Sequence, residues 1–181
     1  MQESQPRFVP LAAKSVVCHT ITYFLMGALA YKFLHYAATI NNPNSGMRPT
    51  TSTWVLLGPA LQIFRGILFA SVFCLFCEQL FGRRDGWLRM AWMLIGIGIL
   101  GTFAAPPGSL EGFIYTKTPA LSQTKGYLEV VTQAVLLSAL LCYWVNHSGK
   151  KWMNWTLGVG YALAQARHCW RSSRLSGRLP A

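Results

Sequence analysis

The sequence predicts an all-α integral membrane protein: a four-helix bundle with an outer lid loop and a short cytoplasmic interfacial segment. Two observations carry that prediction. Apolar stretches run over residues 14–37, 59–81, 87–105 and 127–146, and a helix needs roughly 20 apolar residues to cross the hydrocarbon core. Basic residues also fall unevenly around these stretches. Arg7, Lys14, Arg83, Arg84, Arg89, Lys150, Lys151, Arg167, Arg171, Arg174 and Arg178 lie on one side, and Arg48, Lys117 and Lys125 on the other. Short connectors rich in Lys and Arg stay cytoplasmic, so both termini are expected inside, which requires an even number of spans.

The 181 residues suit one membrane domain, 1–181, without room for a second soluble one. The hydrophobic fraction of 52% is only slightly above an ordinary globular value, so clustering decides the class. Trp54, Trp87, Tyr127, Tyr143 and Trp144 lie near span ends, where amphipathic rings prefer the headgroup level. A net charge of +11 would suggest nucleic acid as partner of a soluble chain. Here the positions of the charges account for it: the partners expected are the bilayer and anionic lipid headgroups along the basic tail 147–181, and no nucleic acid.

The elements follow in order. Arg7 and Lys14, then an apolar run over 15–27 and Ala28-Leu29-Ala30, have the look of a signal peptide. His19, Thr20 and Thr22 interrupt that run and the helical pattern continues past Ala30, so an uncleaved first span is expected. Pro10 stands just ahead of it, and the turn cluster at 41–46 ends it. Thr50, Thr51 and Thr53 are cap candidates for the second helix, although Gly58-Pro59 moves its regular segment one turn later. The connector 82–86 is short enough to make the second and third spans antiparallel neighbours.

The third span carries two small-xxx-small pairs, Gly98/Thr102 and Gly101/Ala105. These residues offer a docking face for a partner membrane protein. The outer connector 106–126 is rich in Leu110, Phe113, Ile114, Tyr115, Pro119 and Leu121, which predicts that it packs back as a lid or short helix. Residues 152–166 are apolar but short. A fifth span there would carry the tail arginines outside, so an interfacial segment is expected. Asn146-His147-Ser148 and Asn154-Trp155-Thr156 match the glycosylation pattern but fall on the cytoplasmic side.

Polar groups inside spans are costly and tend to face a protein interior. Lys32 and His35 share a face of the first span, Gln62 and Arg65 of the second, and Glu129 and Gln133 of the fourth, with Glu111 in the loop above. Turned inward, these faces make an outward-facing polar pocket roofed by the lid. Against that, Lys32 and His35 are placed to snorkel, and Arg65 and Glu129 to neutralise each other. His19 reads as a hydrogen-bonded core residue on another face, and Glu78 and Gln79 as inner-interface partners of Arg83 and Arg84.

Catalytic signatures are missing: G-x-S-x-G, H-E-x-x-H and the P-loop do not occur. The histidines lie at mismatched depths for haem, and Cys74-x-x-Cys77 sits mid-helix among Phe and Leu, so no cofactor or metal is expected. Cys18 and Cys142 also lie in spans and Cys169 in the tail, which is no disulfide framework. The function expected is binding or translocation of a small anionic or polar ligand, or a lipid headgroup. The alternatives are an accessory subunit of a larger membrane complex and a membrane enzyme on a lipid. The enzyme reading has only Glu111, Glu129 and His35 as acid–base groups.

Overall fold

The computed structural model of the chain describes residues 7–34, 48, 52, 58–102, 106, 108–117 and 119–176, the side chains at 59, 122, 125 and 168–176 excepted. The turn cluster at 41–46, Thr50, Thr51, Thr53, Trp54, His35, Ala105 and Arg178 lie outside the described residues, as do the side chains of Lys125, Cys169, Arg171 and Arg174.

All regular structure among the described residues is helical: α1 (Phe8–Phe33), α2 (Gly58–Leu75), α3 (Cys77–Leu80), α4 (Gly86–Ile95) running into a π-helical turn (Gly96–Leu100), α5 (Leu110–Tyr115), α6 (Ala120–Asn146) and α7 (Lys151–Ser176). Two segments, Phe8–Phe33 and Gly126–Asn146, are long and apolar enough to cross a membrane. The apolar helices of the other two expected spans, Ala60–Leu75 and Gly86–Leu100, are shorter.

Each shortening has a local form. The second expected span divides at Phe76, whose N–H reaches back to Phe73 O at 3.3 Å in a tightened turn, before α3 returns Cys77 and Leu80 to the core. Gly82, at φ 73°, ends the segment, and its N–H donates to Asn146 Oδ1 at 2.9 Å. In the third, Gly101 N–H donates to Gly96 O at 2.8 Å, the i→i−5 bond of a π turn. A Cβ on Gly101 would stand 2.8 Å from that oxygen, so this glycine serves its own helix backbone.

α1 is the centre of the packing, in contact with α2, α6 and α7, while α4 packs on α6. Leu11, Cys18, Ala70, Phe73, Met90, Leu137 and Leu141 share one buried cluster. Lys14 Nζ donates to Trp144 O at 3.2 Å and to Ser148 Oγ at 2.6 Å, which sets α1 antiparallel to α6. Together with the Gly82–Asn146 bond, this gathers the start of α1, the connector 81–85 and the end of α6 at one basic end. There Arg89 and Asp85 pair at 2.6 Å, and the guanidinium's hydrogen bond holds the Asp85 carboxyl below its usual range. Both side chains are exposed, so the pair is worth little to the fold.

α1 and α2 are in close backbone contact at Val16 and Gly66. A Cβ on Gly66 would lie 2.6 Å from Val16 Cα, which is backbone and cannot move aside alone. Gly66→Ala is therefore expected to lower thermal stability in detergent by about 1–3 kcal/mol, the range for overpacking. Gly27→Ala, where a Cβ meets nothing within 4 Å, serves as control and is expected to be neutral or mildly stabilising.

Two expectations are corrected here. The short connector predicts that the second and third spans are antiparallel neighbours. α3 does pack on α4, but α2 makes at most marginal contact with it, so the two helices diverge beyond the turn. For the segment after Lys151 the sequence predicts a short apolar stretch over 152–166, and it is the length that is corrected. It is a 26-residue helix, and its first half leans on α1. Met153 is buried in the core, Leu157 packs beside it, and a Cβ on Gly160 would meet Ile21 at 3.5 Å. Trp144 Nε1 donates to Asn154 Oδ1 at 2.7 Å, fixing the start of α7 to the end of α6.

Candidate ligand-binding cleft

Where α2 and α4 diverge, a cavity of about 360 Å³ opens. Arg65 and Phe69 of α2 form one lip, and Leu94, Gly98 and Ile99 on α4 and its π turn form the other. The back wall is His19 and Tyr23 of α1 with Glu129, Gln133 and Leu137 of α6. Pro106, Gly108 and Ser109 close the end away from the basic connector.

That closing segment is held by side chains. Ser109 caps α5: its Oγ accepts from Gly112 N–H at 2.9 Å and donates to Pro106 O at 2.9 Å. Gly108, at φ 96°, donates its N–H to Gln123 Oε1 at 3.0 Å. Gln123 Nε2 reaches Thr116 Oγ1 at 3.4 Å, and the Phe113 ring lies 6.1 Å from the Tyr127 ring. The loop is thus pinned to the first turns of α6.

The polar groups fall into two layers. Arg65 is exposed at the mouth, its guanidinium 5.8 Å over the Phe69 ring. Among the described residues it enters no ion pair. Glu129 and Gln133 are half-buried on successive turns of α6, and the Tyr23 phenol lies within reach of the charges of both Glu129 and Arg65. Deeper, His19 is only 1% exposed. Its Nε2 lies 2.9 Å from Gln62 Oε1, and Gln62 Nε2 donates to Gly58 O at 3.0 Å. Among the described residues His19 Nδ1 and Thr102 Oγ1 are buried without a hydrogen-bond partner. The Phe69 ring meets the imidazole edge-on at 5.0 Å.

Of the residues singled out from the sequence, Arg65, Glu129 and Gln133 line the cleft, and Gln62 stands behind it as the support of His19. Lys32 does not reach it: it is exposed at the end of α1, 5.4 Å over the Phe33 ring. Glu111 is exposed on α5, outside the lining. Of the small-residue face, Gly98 and Thr102 line the cleft.

Sequence reasoning misses His19, Tyr23, Gln123 and Tyr127 as lining residues. The error is one of boundaries. α1 starts at Phe8, six residues before the expected span, which moves His19 about 9 Å deeper at 1.5 Å per residue. The available signal is the His19, Thr20, Thr22, Tyr23 run inside an otherwise apolar stretch.

Chemically the cleft offers one cation, one carboxylate, two amides, two phenols, two hydroxyls and an imidazole within apolar walls. Among the described residues no three His, Cys, Asp or Glu side chains come together as metal ligands. Comparison with protein-family models, curated proteins and solved structures returns no match to this chain.

Proposed function

We propose that this is a multi-pass membrane protein, both termini cytoplasmic, that binds or moves a small anionic or polar ligand through the cleft between α2 and α4. The observation that carries the reading is the cleft itself: a cavity of about 360 Å³ with Arg65 at its mouth and a buried, half-satisfied His19 at its back. Ligand sites are concave and mostly apolar, with a few convergent polar groups, and that describes this one.

The membrane setting rests on an inverted pattern of burial. Ser15, His19, Thr20, Thr22, Gln62 and Ser138 are buried, while Leu61, Phe64, Leu68 and Leu75 of α2 and Leu128 of α6 are exposed. Apolar surface of that extent suits hydrocarbon better than water. On this reading α2 with α3, and α4 with its π turn, complete the two shorter crossings.

Gly98→Phe tests the cleft without touching a charge. Gly98 lines it, and a Cβ there meets nothing within 4 Å, so the ring has space to occupy. The variant is expected to keep the wild-type melting temperature and to retain less than about a tenth of the ligand seen by native mass spectrometry, since a filled cavity excludes its guest. Gly158→Phe, on exposed α7 surface, is expected to match the wild type. Equal retention by Gly98→Phe would remove the cleft as the site.

A further inference from the structure

Resting on the ligand-site reading, the buried imidazole and the sideways opening narrow the ligand's chemistry. The Gln62 amide donates to Gly58 O, which turns its Oε1 toward His19. His19 Nε2–H is therefore the donor of that 2.9 Å bond. The other nitrogen of a neutral imidazole is an acceptor, so Nδ1 presents a lone pair, buried without a partner beside the cavity. A buried acceptor left unpaired costs free energy; the atom exposes no surface to the cleft, so a donor recovers that cost only where a small shift of the lining side chains lets it in. Thr102 Oγ1 is in the same condition and also lines the cavity.

Arg65 supplies the other half of the recognition. Its planar fork of N–H groups matches a phosphate, and it is exposed at the mouth. The direction of access follows from the helices. Among the described residues α2 and α4 make at most marginal contact with each other, which makes the gap between them the route of entry on this reading. Leu61, Phe64 and Leu68 of α2, all within four residues of Arg65, are exposed apolar surfaces. These surfaces give acyl chains a place to rest while a headgroup enters.

We propose that the cleft admits a single phospholipid sideways from the bilayer, Arg65 holding its phosphate and His19 Nδ1 accepting a hydrogen bond from an ammonium N–H on the headgroup. Soluble phosphate esters share that recognition chemistry, and only the lateral opening favours the lipid.

The test is a competition on the full chain in nanodiscs, read by native mass spectrometry. Phosphatidylethanolamine, its mono- and dimethyl derivatives and phosphatidylcholine are compared with matched acyl chains. Phosphate and charge stay constant through the series, and only the third methyl removes the last N–H. Retention is expected to hold through the second methyl and fall about tenfold at the third, the worth of one hydrogen bond to a charged donor. In the double variant His19→Phe, Gln62→Leu, which removes both polar partners together, that step should vanish while phosphate-dependent retention persists.

A smooth decline, no decline, or a step that survives the double variant would overturn the headgroup assignment. Should the double variant fail to fold, the methylation series on the wild type decides alone. Free phosphoethanolamine competing as well as the lipid would overturn access from the bilayer. Failure of the parent reading looks different: no phospholipid retained by the wild type, and no change on Gly98→Phe.

Discussion

Arg65→Met is expected to fold and insert like the wild type and to bind a phosphate-bearing ligand ten- to a hundred-fold more weakly, the loss of one charge-assisted hydrogen-bonded contact. The structure separates this outcome from the purely structural one. If Arg65 served only to neutralise Glu129, removing either residue would leave a charge stranded and cost roughly 3–5 kcal/mol, and the double variant would recover much of it. Among the described residues Arg65 enters no ion pair and lies against Phe69 at the exposed mouth. Arg65→Met and Glu129→Gln are therefore expected to couple only weakly in thermal stability, by no more than about 1 kcal/mol through the cleft and the Tyr23 they share. A double-mutant cycle in detergent measures that coupling, and binding is followed in parallel. Arg65→Lys should restore some of the affinity, since it keeps the charge and loses the fork. Strong coupling with unchanged binding would make the residue a structural counter-charge. No effect on either readout would leave it a snorkelling bystander.

Helical spacing is what made some of this site legible in the sequence. Glu129 and Gln133 had to share a face because four residues make about one turn, and the fold places both in the cleft with Arg65. Spacing also puts Gln62 on the correct face, but its role is to orient His19 from a buried position rather than to meet a ligand. Hydropathy fails at the ends of helices because it reports the solvent rather than the backbone. α6 begins at Ala120, inside what polar Gln123 and Lys125 make look like a loop, and Gln123 proves to be the residue that ties the loop down. α7 is hidden for the same reason: its mixed composition masks a continuous helix whose Met153, Leu157, Gly160 side packs on α1. The divergence of α2 and α4 has no sequence signal, because a short connector constrains only the ends it joins.

Cysteine labelling of intact cells should mark a Thr118→Cys variant from outside and leave a Ser173→Cys variant unmarked. The first half of that result follows from the basic end. Antiparallel packing collects Arg7, Lys14, Arg83, Arg84, Lys150 and Lys151 beside the start of α1 and the end of α6, and short basic segments stay cytoplasmic. The loop that closes the cleft is at the opposite end, and Lys117 and Pro119, the sequence neighbours of the labelled position, follow it. The second half is the sharper test, because the fold supplies a competitor. α7 has 26 residues, about 39 Å at 1.5 Å per residue, long enough to cross, and it advances along α1 from near Lys14 toward Ile21. Crossing would carry Arg167, Arg171 and Arg174 to the outer face against the charge rule, and would immerse a helix that meets no span criterion of length and hydropathy together. Each arginine drawn to the bilayer centre costs about 3 kcal/mol on insertion scales, whereas each one kept beside an anionic inner leaflet gains about 1 kcal/mol. On that balance the second half of α7 is expected at the cytoplasmic surface while its first half leans on α1. Labelling of Ser173→Cys from outside would give five spans and an external C-terminus, and the Met153, Leu157, Gly160 contact would then be a buried helix pair within the membrane.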